Sequence, residues 1–201
     1  MKSYTVKKTA DINEAVLEEV NVFPWDYDYR PKTCFRVCHT DDELIVSLRS
    51  YEKDPVAKVT KTHGSVCNDS CLEFFFSPSE DNSLGYFNFE VNANPTYLFE
   101  YRVREGADFR NIEWDERDYR LTSTFGEENG ESFWQVDFRL PYAMIKKYAP
   151  SADLSSGSAI RCNVYKCGCT DQPHHFFCWN RVETPGPNFH KPDFFGRFIL
   201  E

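Results

Sequence analysis

Apolar and polar residues alternate with a period of two along much of the chain, in short runs broken by clusters of Gly, Pro, Asn and Asp. That is the pattern of half-buried strands in a sandwich or barrel. Leu44, Val46 and Leu48 alternate with Ile45, Ser47 and Arg49, and the run Leu72 to Phe76 ends at Ser77-Pro78. The segment Tyr86 to Asn92 follows after the loop Ser79 to Gly85, so the two runs read as neighbouring antiparallel strands. Further strands are predicted at Leu98 to Val103, Tyr119 to Phe125, Phe133 to Leu140 and Ala159 to Tyr165, with Glu128-Asn129-Gly130 as a hairpin turn, because Asn-Gly accepts positive φ. Only Pro141 to Tyr148 reads as helical, with Pro at the first position; Ile12 to Val20 is a brief helix or a terminal strand. About ten strands of this spacing pack as two sheets more readily than as one flat sheet. The expectation is an all-β, jelly-roll-like β-sandwich of two antiparallel sheets with one short helix, a single domain over residues 1–201.

Composition strengthens the strand reading. The 201 residues include 18 Phe and 11 Tyr against 2 Met, and aromatic rings fit pleated half-buried surfaces. A formal charge of −9 without a Lys/Arg cluster excludes a phosphate-binding footprint, so neither nucleic acid nor an acidic membrane is an expected partner. Near the start, Lys2, Lys7 and Lys8 are followed by Asp11, Glu14, Glu18 and Glu19 instead of an apolar run. Read as the absence of a signal peptide, this predicts a cytoplasmic protein, with secretion as the alternative. On the same ground the eight cysteines are expected as thiols, with Cys34, Cys38, Cys71, Cys162 and Cys178 as small core hydrophobes. Cys167, Cys169 and His174 or His175 could form a zinc set, but paired C-x-x-C knuckles are missing; no metal site is expected.

Candidate chemistry follows from which face each residue occupies. Phe87, Phe89 and Val91 share one face of their strand, while Tyr86, Asn88, Glu90 and Asn92 share the other. Such a row of donors and acceptors suits a ligand rich in hydroxyls, or simply a solvated outer face. Asn163, Tyr165 and Lys166 precede Cys178-Trp179-Asn180, and the tail Pro185 to Gly196 carries too much proline to pair in a sheet centre, so it is a long surface loop of the kind that often carries function. Trp179, just before this loop, is a candidate stacking ring for a sugar. Trp134 alternates in phase with Val136, Phe138 and Leu140 and is assigned to the core. Glu73 and Glu90, on adjacent strands, are the obvious carboxyl pair if the chain cleaves glycosides. No activated Ser or Cys, Gly-rich phosphate loop or His-Glu zinc helix is present.

The runs Asn68 to Phe75, Asn88 to Asn92, Arg161 to Gly168, Trp179-Asn180 and Phe189 to Gly196, in this order, resemble the family-nine-like carbohydrate-binding domains over most of the chain from about Trp25 onward. The resemblance implies a non-catalytic β-sandwich, of a family often attached to glycanases such as xylanases, that binds the ends of oligosaccharides or polysaccharides in a slot walled by aromatic rings. It transfers Glu73, Glu90 and Asn92 to the slot and Trp179 to one wall; Trp25, Trp114 or Tyr86 stands in for the second ring. No cofactor is expected, and structural calcium, which some members of the family bind, is left open by the resemblance. The combined expectation is a monomer in which Trp179 stacks on a pyranose while Glu73, Asn88, Glu90, Asn92, Asn163 and Lys166 take its hydroxyls. A glycan-processing enzyme using Glu73 and Glu90 is one alternative, and a haem-, lipid- or protein-binding sandwich is another.

Overall fold

A computed structural model describes all residues, 1–201. Thirteen strands and one α-helix account for the regular structure. They are β1 (Ser3–Lys8), β2 (Glu18–Glu19), β3 (Thr33–His39), β4 (Glu43–Ser50), β5 (Cys71–Ser77), β6 (Tyr86–Asn92), β7 (Tyr97–Arg102), β8 (Arg110–Asn111), β9 (Thr122–Glu128), β10 (Glu131–Pro141), α1 (Tyr142–Tyr148), β11 (Ala159–Gly168), β12 (His175–Cys178) and β13 (Gly196–Leu200). The strand order β8-β7-β6-β5-β11-β13-β1-β3-β4-β10-β9 is continuous, with β12 added to β11 and β2 to β3.

The two layers are halves of one curled sheet joined through β1. Its Ser3–Val6 stretch runs parallel to β13 in the first layer, and Lys7–Lys8 run parallel to β3 in the second. The all-β architecture is as expected, but the antiparallel rule fails at β1, whose two pairings are both parallel. The Asn-Gly hairpin forms as anticipated, with Asn129 at φ 54° and Gly130 at φ 82° and Glu128 paired with Glu131. Pro141 ends β10 and caps α1 from outside it, instead of opening the helix. Ile12 to Val20 forms neither a helix nor a full strand: one 3₁₀ turn covers Ile12–Glu14, and Glu18–Glu19 make a short pairing with β3. Tyr119 closes a 3₁₀ turn, and the strand predicted from it begins at Thr122.

Alternation sorts the side chains as the sequence requires. Leu72, Phe74 and Phe76 of β5, with Phe87, Phe89 and Val91 of β6, point between the layers and meet Val136, Phe138 and Trp134 of β10. Phe89 stacks on Phe138 at 4.3 Å, and Phe76 on Phe87 at 4.8 Å. The opposite face of β5, β6 and β11 is also covered. Every residue of β5 and β6 is buried, because the segment from Val182 to Phe195, together with Trp25, lies over Cys71, Phe75, Tyr86, Tyr165 and Cys167 as a second apolar cluster. This outer layer turns a solvated sheet face into the floor of a cleft.

Candidate functional site

The covering segment cannot become a strand, since Pro185, Pro187 and Pro192 interrupt it; it is fastened instead by side chains reaching its carbonyls. Asn180 donates to the Phe194 carbonyl at 2.7 Å, Asn82 to that of Pro192 at 3.1 Å, and Arg161 to those of Phe195 and Gly196. Asn188 accepts the backbone N–H of His190 at 3.0 Å, a local turn that presents Phe189 and His190 to the sheet. Phe189 then stacks on Tyr165 at 4.1 Å with the rings 12° apart, while His190 packs on Phe75 at 5.1 Å.

Between this segment and the sheet lies a cleft of about 270 Å³. Glu73, Glu90, Cys167 and its β12 partner Phe176 line it from the sheet side, with Cys67 from the 3₁₀ turn before β5; Phe189, His190 and the Pro187–Asn188 turn cover it. Glu73 and Glu90 face each other across β5 and β6 in direct register. Burial raises Glu73 to about 7, against the weaker opposing pull of the Cys167 thiol and Lys166. Burial, and then repulsion from Glu73, lift Glu90 well above the usual carboxylate range. Loss of solvation also lowers His190 to about 4, with Arg102 adding to the effect, so its imidazole is neutral near pH 7. Larger hollows of about 420 and 450 Å³ lie elsewhere on the surface. They are lined mostly by Ser, Asp, Glu and Lys, with no buried carboxyl pair and no row of rings facing it.

Of the nine residues expected to touch a ligand, the structure brings only Glu73 and Glu90 to the cleft. Trp179 requires correction. It is fully buried in the inter-layer core, edge-on to Phe35 at 5.7 Å and Phe198 at 5.3 Å, with Nε1 donating to Glu18 at 3.3 Å. A Cβ on Gly196 would come within 2.2 Å of its ring, so the indole is packed on that side and has no face to offer a sugar. Lys166 also points away from the cleft. Its Nζ reaches Glu52 at 3.2 Å, the Cys167 carbonyl at 2.9 Å and His175 Nε2 at 2.7 Å, which satisfies its three donors.

The three amides are structural. Asn92 accepts the N–H groups of Asn94 and Thr96 and donates to Asp69 and the Val59 carbonyl, fixing the turn after β6. Asn163 ties β11 to Asn180 by accepting its N–H and donating to its carbonyl. Asn88 is fully buried and donates to Glu90 and to Glu100, each at 3.1 Å, so it positions the Glu90 carboxyl from behind. Trp25 supports the cleft from outside, packing on Phe189 and donating to the Thr184 carbonyl at 3.0 Å. Trp114 packs against the inter-layer core and donates to Asp118, away from the cleft. Tyr86, the other stand-in for a second ring, is fully buried under Phe195.

The zinc set weighed from Cys167, Cys169 and His174 or His175 does not assemble either, because His175 faces Lys166 on the inner side of β12 while Cys167 faces outward beside Glu73. Three or more His, Cys, Asp or Glu ligand atoms converge in one place, at Cys71, Glu73 and Cys167, and two thiols with one carboxyl do not suit a hard cation that takes about 6–8 oxygens. Phe176, Phe189, His190 and Asn188 were not among the expected ligand residues. The signal for the last three was the Pro-rich run itself, which marked a functional loop without saying which side chains turn inward.

Comparison with known proteins places the chain among sugar-binding modules. The family described as carbohydrate-binding family 9 matches residues 5–200. The fold is similar to that of a Bacteroides uniformis protein provisionally described as carbohydrate-binding, with a TM-score of 0.83, 26% identity, and coverage of 100% of this chain and 99% of that one. It also resembles a family 9 carbohydrate-binding module from Caldicellulosiruptor kristjanssonii. The form in complex with glucose has a TM-score of 0.65 at 12% identity, covering 100% of this chain and 96% of that one. The form in complex with cellotriose has a TM-score of 0.68 at 13% identity, covering 100% and 94%. No curated protein matches the chain.

Proposed function

The chain belongs to carbohydrate-binding family 9, and on that premise we propose that it holds the end of a sugar chain in the outer-face cleft without cleaving it. The observation that carries this reading is the meeting, in one hollow, of two carboxyls with the rings of Phe176 and Phe189. A pyranose offers C–H groups to an aromatic face and hydroxyls to carboxyl oxygens, and the cleft provides both. Its volume of about 270 Å³ falls just under the span of about 300–1,000 Å³ usual for drug-sized ligands. That suits one terminal ring better than an internal stretch of polymer. Glucose and cellotriose, the ligands of the similar modules, are the first sugars to try.

The hydrolase reading is weaker on geometry. Glycoside cleavage uses two carboxyls flanking the scissile bond, whereas Glu73 and Glu90 stand side by side on one wall. Calorimetry with glucose, cellotriose and a panel of other oligosaccharides, run beside product analysis, tests both readings. The wild type is expected to bind without forming product. Phe176→Ala and Glu90→Gln should each weaken binding at least about tenfold, a loss of roughly 1.4 kcal/mol, and Trp114→Ala should leave it unchanged. Equal binding by the wild type and both cleft variants would remove the site from this cleft, and accumulation of shorter sugars would replace binding by hydrolysis.

A further inference from the structure

On the sheet side of the same cleft three metal-ligating side chains converge, and two of them are thiols that sugar recognition does not use. Cys71 and Cys167 are directly opposite each other on β5 and β11, and Glu73 is two residues along from Cys71, so all three project from one face. Their ligand atoms lie within 4.8 Å of one another, and the Cys167 thiol donates to Glu73 Oε1 at 3.0 Å. All three residues are buried. No Lys or Arg side chain donates to Glu73, Glu90 or these thiols; Lys166, the residue before Cys167, is turned to the other side of β11 and held there by Glu52 and His175. Potential anions are thus gathered in a buried place with no cationic side chain hydrogen-bonded to them.

We propose that Cys71 Sγ, Cys167 Sγ and one Glu73 oxygen bind a single zinc-class divalent cation. Two thiolates and a carboxylate form a borderline-soft donor set, which favours zinc over calcium or magnesium. Bonds of about 2.3 Å to sulfur and about 2.0–2.2 Å to oxygen in a tetrahedron require ligand atoms a little under 4 Å apart, so the three groups need only small side-chain adjustments. Each Zn–S bond replaces an S–H bond and the Zn–O bond replaces any O–H on Glu73, and the displaced protons leave to solvent as the +2 ion enters. The fourth position faces the cleft, where Cys67 and Glu90 also stand, which is the open arrangement of an exchangeable site.

The full chain, stripped with chelator and kept reduced, is titrated with Co²⁺ as a spectroscopic surrogate and then with Zn²⁺. One equivalent of Co²⁺ should give thiolate-to-cobalt charge-transfer and tetrahedral ligand-field absorption, and one equivalent of Zn²⁺ should abolish both. Cys167→Ser and Cys71→Ser should each remove most of the charge-transfer band. Glu73→Gln, which leaves both thiols in place, should weaken Co²⁺ binding at least about tenfold. Cys34→Ser, in the other layer, should change nothing. Absence of the band in the reduced protein, its survival in the Cys71→Ser/Cys167→Ser double variant, or a Cys71–Cys167 disulfide in freshly purified protein by non-reducing mass spectrometry would overturn the site.

Discussion

Two buried polar clusters hang from consecutive residues of β11, and they differ in kind. Inward, Lys166 donates to Glu52, His175 and a backbone carbonyl, and Trp134 Nε1 donates to Glu52 at 2.8 Å. Burial alone would raise the Glu52 carboxyl, but Lys166, Trp134 and His175 outweigh it and hold it below the ordinary carboxylate range. Outward, Cys167 faces Glu73, Glu90 and Cys71, and there the same burial raises Glu73 and Glu90, because no cationic side chain hydrogen-bonds to them and the pull of Lys166 on Glu73 and of Arg102 on Glu90 is the weaker effect. The inward cluster is closed, with charge and hydrogen bonds matched; the outward one is open to a cleft and short of partners. A buried polar network that balances itself serves the fold, whereas one left unbalanced beside a cleft is where a ligand is needed.

The largest effect is expected at Glu52. Removing it as Glu52→Ala strands the Lys166 ammonium in the core, and urea unfolding should show a loss of about 3–5 kcal/mol. Acid should come next. Burial and then Lys166 lower His175 to about 4 from its ordinary 6.5, while Pro173, through its carbonyl, and Glu52 pull the other way; Tyr29 and Phe177 supply the apolar surroundings. The unfolded chain therefore binds a proton between pH 6.5 and 4 that the folded chain refuses. Stability should fall as pH drops through that window, by up to about 3 kcal/mol from this residue, and His175→Gln should flatten the fall in unfolding curves measured across it. The smallest effect is expected on the outward side. Glu90→Gln removes one of two like groups and keeps the shape, so its unfolding free energy should stay within about 1 kcal/mol of wild type or rise. A large loss there would mean that the outward cluster is as closed as the inward one.

The sandwich was legible because alternation in β5, β6 and β10 is regular and the turns carry the right residues. The least legible strands were those with weak patterns. β1 reads as lysines around Tyr4 and Val6, and β13 hides behind a proline-rich approach. The site was readable only in part, and Trp179 shows why. Phe177 and Trp179 share one face of β12 and its continuation, Phe176 and Cys178 the other, and both faces are apolar and covered. Periodicity pairs residues on a face but cannot say which face adjoins a cleft when neither meets bulk water. The same ambiguity put Lys166 on the wrong side of β11 and made Asn92 and Asn163 look like ligand groups, when turns and strand ties consume their hydrogen bonds. Glu73 and Glu90 reach the cleft together because carboxyls in register on adjacent strands stay together whichever way the sheet is covered.

The outer-face cleft is the proposed place where sugar is held. A crystal structure of the protein with cellotriose tests this most directly. The terminal ring should lie against Phe176 within hydrogen-bonding distance of Glu90, under the Phe189–His190 turn. A trisaccharide ordered on another surface, such as the β3–β4 face beside Arg49 and Gln135, with the cleft containing only solvent, would contradict it.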